Sequence, residues 1–230
     1  MSTDEQDELI AGIYDAALGT RSWDQVLVAL AGATGCRQTG LEIHDPYTGV
    51  IERRTPLCAP EYQASYRAYW GKQVSLYRRT DRFPLGRVFG SAEIFDIEVY
   101  RRSAFFNDWW RPQGTGGETL LANVVSDGRA TAILAAYKPH AQPHFTAHEQ
   151  RLFELAVTHF IRAMEIHRRL RLAEARQTAG LMCAAPESCV IIDRQGRVLV
   201  SDEAVHRRLV AAGLFRQWAG VSASKRAIWK

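Results

Sequence analysis

The stretch "TLLANVVSDGRATAILAAYKP", residues 119–139, constrains this chain more than any other. Two β-prone runs, 118–125 and 130–137, meet at Asp127-Gly128. An Asp-Gly pair tolerates the positive φ angles of a two-residue hairpin turn, so the runs must pair antiparallel. A second pair of short strands precedes them. "QTGLEIHD" alternates at Leu41 and Ile43, and "GVIERRT" follows the turn "DPYTG", where Asp45, Pro46 and Gly49 supply the turn chemistry.

Helical segments surround these hairpins. Residues 4–18 place Leu9, Ile13, Ala16 and Ala17 on one face behind an acidic first turn, and Gly19 ends the segment. Ser22 is the expected N-cap of a second helix, 23–34, with Val26, Leu27 and Leu30 inward and Gly35 beyond its end. Residues 61–71 and 97–110 read as two further helices, and 72–95, broken by Pro84, Gly86 and Gly90, reads as irregular. A long helix, about 147–177, opens on the capping box Thr146…Glu149. Hairpins flanked by helices predict an α+β domain with an antiparallel sheet. The expected organisation is one α+β domain over 1–145, a connecting helix over 146–178 and an incomplete segment over 179–230. That last segment begins with two strands around the turn Arg194-Gln195-Gly196 and a short helix, 203–212.

Composition excludes several classes. With 47% hydrophobic and 23% charged residues the chain has an ordinary globular balance. "MSTDEQDELI" lacks the apolar core of a secretory signal, and no apolar run approaches the roughly 20 residues of a membrane span. A soluble cytoplasmic protein without membrane contact is expected. Cys36, Cys58, Cys183 and Cys189 are scattered without a C-x-x-C pair, which fits reduced thiols. A net charge of +4, gathered in "RRTDR" and "HRRLRLAEARQ", does not imply nucleic acid.

Aromatic residues concentrate in two places. Tyr62, Tyr66, Tyr69 and Trp70 recur at near-helical spacing, and Phe105, Phe106, Trp109 and Trp110 crowd six positions just before Pro112 and Gly114. On an α-helix the second group spans two adjacent faces. Either two rings enter a core and two cover its edge, or the rings wall a cavity for a small organic molecule. The candidate ligand-binding residues are Tyr66, Tyr69, Trp70, Asp81, Phe106, Trp109, Trp110 and Arg111, with Asp108 and Gln113 as further polar groups.

The long helix carries Phe153, Ala156, Phe160, Ala163, His167 and Leu170 at alternating spacings of three and four, the pattern of a pairing seam. Its first half is expected on the chain's own sheet and its second half against a second chain. His140, His144 and His148 stand four apart, but Pro139 and Pro143 prevent a helix there and no further ligands complete a metal shell. "GTGGE" leads into a strand and lacks a P-loop lysine; no nucleophile, base or metal set points to an enzyme. No cofactor is expected.

"VFGSAEIF…VYRRSAFFNDWWRPQG", the hairpin after it and "HFTAHEQRLFELAVTHFIRAMEIHRRLRL" are similar to the N-terminal sensory region of bacterial LuxR-type transcriptional regulators. "IYDAALGTRSWDQVLVALAGATG" fits the same region, and "CVIIDRQGRVLVSDEAV" resembles the start of a PAS-like segment behind it. The resemblance covers roughly residues 8–213. It implies a GAF-like or PAS-like fold, a small-molecule ligand, and DNA binding through a C-terminal helix-turn-helix. Residues 180–230 lack that motif's paired helices, so a truncated member without its own DNA-binding domain is expected. The alternative is a ligand-free interaction module that forms heterodimers with full-length relatives.

Overall fold

A computed structural model describes residues 3–44, 51–71, 80, 82–126, 131–182, 190–192, 198–201, 208 and 211–212 of the chain. It divides into two compact units, residues 1–164 and 165–230.

The first unit is built on a five-stranded antiparallel sheet. Its strands are β1 (Gln38–His44), β2 (Ile51–Arg54), β3 (Val88–Gly90), β4 (Thr115–Ser126) and β5 (Thr131–Pro139), in the order β2-β1-β5-β4-β3. β5 therefore lies at the centre. The two expected hairpins are present, β1 with β2 and β4 with β5, while both turns fall outside the described residues. β3 corrects the expectation that 72–95 is irregular: three residues, Val88 to Gly90, pair with Ala122 to Leu120 of β4. Three residues are too few to display a strand's alternation.

One face of the sheet is covered by helices α1 (Thr3–Leu18), α2 (Trp23–Ala33) and the first turns of α5 (Ala147–Met182). Ser22 caps α2 through a reciprocal box with Gln25. Thr39 Oγ1 donates to the Leu27 carbonyl at 2.6 Å, fixing α2 against β1. Trp23 meets Phe160 of α5 at 5.5 Å between ring centroids, and Tyr14 of α1 reaches His159 at 3.0 Å. Ile13, Leu27, Leu30, Leu134, Ala136, Phe153 and Phe160 are fully buried. This face is a closed apolar core.

A buried cation anchors the end of that face. Lys138 Nζ donates to the Thr34 and Gly35 carbonyls, both at 3.3 Å, and to Glu149 Oε1 at 2.8 Å. It thus caps the C-terminus of α2 and ties it to the start of α5. Gly35 adopts φ +60, and a Cβ there would stand 2.7 Å from Glu149 Oε1, so a larger residue would be strained and would displace the carboxylate that holds Lys138. The expected Thr146–Glu149 capping box forms and shares this carboxylate. Cys36, beside it, has its thiol pushed up to about 11, chiefly by burial.

In the second unit α5 runs on to Met182. Glu165 pairs with Arg168 at 3.1 Å and Arg169 at 2.7 Å, and Arg171 pairs with Glu174 at 3.1 Å. Strands β6 (Val190–Ile192) and β7 (Val198–Ser201) form an antiparallel pair, as expected for the opening of the last segment. The rest of that segment, with Cys183 and Cys189, lies outside the described residues. Among the described residues no helix is long and apolar enough to cross a membrane.

Candidate functional site: the aromatic face of the sheet

The opposite sheet face is built from different chemistry. Strand alternation and register place Glu42, Ile133, Ala135, Tyr137, Thr119, Leu121, Asn123 and Phe89 on this side. Over one part sits a cluster of Phe83, Phe89, Ile94, Leu121, Ile133 and Ala135, with Phe95 and Tyr137 packed against it. Over the next sits a ring cluster of Phe105, Phe106, Trp109 and Trp110 with Cys58, joined by Tyr62, Tyr66, Trp70, Tyr100 and again Tyr137. Tyr137 on the central strand links the two.

The wall is not the single helix that the spacing of 97–110 suggests. Helix α4 (Ile97–Arg102) ends at Ser103, whose backbone is extended at ψ 150. Ser103 Oγ donates to the Tyr100 carbonyl at 2.6 Å and accepts from the Phe106 amide at 3.2 Å. A serine that satisfies backbone groups itself breaks one helix and starts the next. The next segment, Phe105–Trp110, is wound as a π-helix, with the Arg111 amide donating to the Phe106 carbonyl. Each residue of a π-helix turns through a smaller angle than in an α-helix, so all four rings fall on one side. All four are buried, at 4–8% exposure, where an α-helix would have splayed them over two faces. Phe105 stacks on Trp109 at 5.0 Å and on Trp110 at 6.0 Å. Gly114, at φ +78, ends the turn before β4.

A second π-helical turn, Tyr66–Trp70, follows α3 (Pro60–Ser65) and faces the first. Tyr66 meets Trp109 at 5.0 Å, and Trp70 meets Phe105 at 6.0 Å. Trp109 Nε1 donates to the Tyr62 carbonyl at 3.1 Å and Ser65 Oγ at 3.0 Å, locking the two turns together. Gln113 fastens the far end: its amide nitrogen Nε2 donates to the Trp109 carbonyl, and its Oε1 accepts from Gln38 and Cys58.

The polar groups of this face come from the sheet. Arg53 Nε donates to Glu42 at 2.7 Å, and its guanidinium lies 3.4 Å from the centroid of the Tyr66 ring. Burial opposes the Arg53 charge, but Glu42 and the Tyr66 phenol outweigh it and raise its pKa. Burial pushes up the phenols of Tyr66, Tyr100 and Tyr137, so all three are neutral donors at physiological pH. The carboxylate and the guanidinium cancel, so this polar wall carries no net charge.

Of the sequence-derived candidates, Tyr66, Trp70, Phe106, Trp109 and Trp110 meet in the ring cluster. Tyr69 is 54% exposed and touches the ring of Trp70. Arg111 and Asp108 are exposed, Gln113 is buried in its bonding role, and Asp81 lies outside the described residues. Sequence reasoning missed Arg53, Glu42, Tyr100, Asn123 and Tyr137; the pairing of β1 with β2 and the alternation of β5 are the signals that expose them. On α5, Phe153, Ala156, Phe160 and Ala163 are buried within a single chain, which spends them on its own core. Leu170 is 37% exposed. His144 Nδ1 sits 2.8 Å from Glu118, and among the described residues no group of three histidine, cysteine or acidic side chains is placed to hold a metal.

No family model matches the chain. No curated protein matches it either. Solved structures do. The ligand-binding domain of VqsR from Pseudomonas aeruginosa superposes with a TM-score of 0.51 at 18% identity, covering 71% of this chain and 94% of that one. The N-acylhomoserine lactone dependent LuxR family transcription factor CepR2 from Burkholderia cenocepacia gives a TM-score of 0.51 at 11% identity, covering 73% and 98%. At these identities the likeness is one of fold: an α+β domain similar to those in the two structures.

Proposed function

We propose that the first unit is the ligand-sensing module of a LuxR-type transcriptional regulator, cytoplasmic and non-enzymatic, which holds a small neutral organic molecule against the aromatic face. One observation carries this reading. Tyr137 is on the central strand, beneath the ring cluster, yet it is only half-buried, whereas Leu134 and Ala136 on the strand's other face are fully buried. Its partial exposure beneath the rings supports the reading that a guest can reach this part of the face. Aromatic walls there, with three neutral phenols and a charge-balanced Arg53–Glu42 pair, suit a molecule with an apolar body and an uncharged polar group. The five-stranded antiparallel sheet flanked by helices supports the GAF-like or PAS-like part of the reading, and the β6–β7 pair supports a PAS-like start to the second unit.

The test is thermal unfolding of the full chain with a panel of neutral acylated molecules, N-acylhomoserine lactones first. A ligand at 100 times its Kd adds about 2.7 kcal/mol of stability, which raises Tm by roughly 5–10 °C in a chain of this size. A panel without any shift contradicts the reading.

The second reading is a ligand-free interaction module acting through heterodimers. The mutual stacking of Phe105, Trp109 and Trp110 favours it, because rings that fill each other's contact surface need no guest. It predicts no Tm shift, together with association with a full-length relative in sedimentation. Homodimerisation in either reading rests on the part of α5 that carries His167 and Leu170, since the earlier seam residues are spent in the core.

A further inference from the structure

We infer that the side-chain carbonyl of Asn123 accepts a hydrogen bond from an N–H or O–H group of the molecule bound on the aromatic face. The inference rests on the ligand-sensing reading above and specifies which chemistry that face selects. Asn123 is 0% exposed on β4, opposite Ile133, on the same side as Leu121 and Phe89. Its Nδ2 donates to two carbonyls, Thr80 and Phe83, both at 2.8 Å. Two acceptors facing one end of the amide fix which end is nitrogen, because the flipped amide would set three oxygens against one another. Oδ1 is therefore defined, and it has no hydrogen-bond partner.

A buried carbonyl without a donor is costly, and native interiors carry few of them. Among the described residues, the cluster on this part of the face, Phe83, Phe89, Ile94, Leu121 and Ile133, supplies only apolar side chains. Holding Thr80 and Phe83 explains Nδ2 but leaves Oδ1 without a role. A guest supplying a donor removes the cost at the moment it binds. Such a guest carries a secondary amide or a hydroxyl within an apolar body. Esters, ethers and tertiary amides lack the proton, and an ammonium would enter without a countercharge among these residues.

The experiment uses the full chain and a matched pair of probes, N-octylacetamide and N-methyl-N-octylacetamide, titrated by calorimetry. The account expects the secondary amide to bind at least about tenfold more tightly, the scale of one buried hydrogen bond. In Asn123→Leu the preference should fall below about twofold while both probes still bind. If that variant does not fold, the carbon-13 resonance of the Asn123 side-chain carbonyl is followed in the wild type. A shift with the secondary amide alone supports the inference, and equal shifts or none overturn it. Equal affinities in the wild type, or a preference that survives in Asn123→Leu, also overturn it while leaving the ligand compartment intact. Binding of neither probe counts against the compartment itself.

Discussion

The two faces of one sheet carry opposite kinds of chemistry. On the helix-covered face Leu134 and Ala136 of β5 are sealed by α1, α2 and α5, and the buried cation there, Lys138, has three partners. On the other face Tyr137, next to them in the same strand, is half-buried under rings, and Asn123 keeps an acceptor without a donor. One face spends its polar groups on stability, and the other holds some in reserve. Side-chain alternation lets a single strand serve both.

Substitutions on the closed face should cost most. Phe160→Ala removes a fully buried ring tilted against Trp23 and should destabilise the first unit by about 3–5 kcal/mol in urea denaturation. Glu149→Ala strips Lys138 of its countercharge and should cost about 3 kcal/mol, because an unpaired buried charge is worse than none. Lys138→Met with Glu149→Gln should restore most of that loss.

The same carboxylate sets an acid limit. Burial raises the Glu149 pKa, but hydrogen bonds from Lys138 and Thr146 outweigh this and hold it below its ordinary 4.5; His144 and Phe145 do the same for Glu118. A pKa lower in the folded state contributes stability above about 4.5, which is lost as pH falls through the folded values. Urea midpoints measured from pH 6 to pH 3 should therefore drop most steeply below 4.5, and less so in Glu149→Gln.

Substitutions on the aromatic face should separate stability from binding. Trp109→Phe keeps a ring but loses the indole donor to Tyr62 and Ser65, costing about 1–2 kcal/mol and loosening the two π-helical turns. Tyr137→Phe should leave stability within about 0.5 kcal/mol while changing affinity for any ligand that stabilises the wild type. Equal stability losses for Tyr137→Phe and Phe160→Ala would erase the contrast between the faces.

The closed face was largely legible in the sequence. Ser22, Thr146 with Glu149, and the apolar stripe of α2 specify local structure through adjacent residues, and each formed as expected. The aromatic face was legible in composition but not in geometry. Crowded rings at 105–110 signalled a special segment, yet helical periodicity assumes 3.6 residues per turn, and the break at Ser103 and the π-helical winding violate it. β3 was too short to show alternation. Arg53, Glu42 and Asn123 become neighbours of the ring clusters only through strand pairing, which no local pattern records.

The central claim, that a guest occupies one sheet face and not the other, meets its most direct test on β5. Methyl resonances of Ile133 and Ala135 report the aromatic face, and those of Leu134 and Ala136 report the closed face. On titration with a stabilising neutral ligand, Ile133 and Ala135 should shift strongly while Leu134 and Ala136 stay nearly still. Equal shifts on both sets, or movement only at Leu134 and Ala136, would contradict the account.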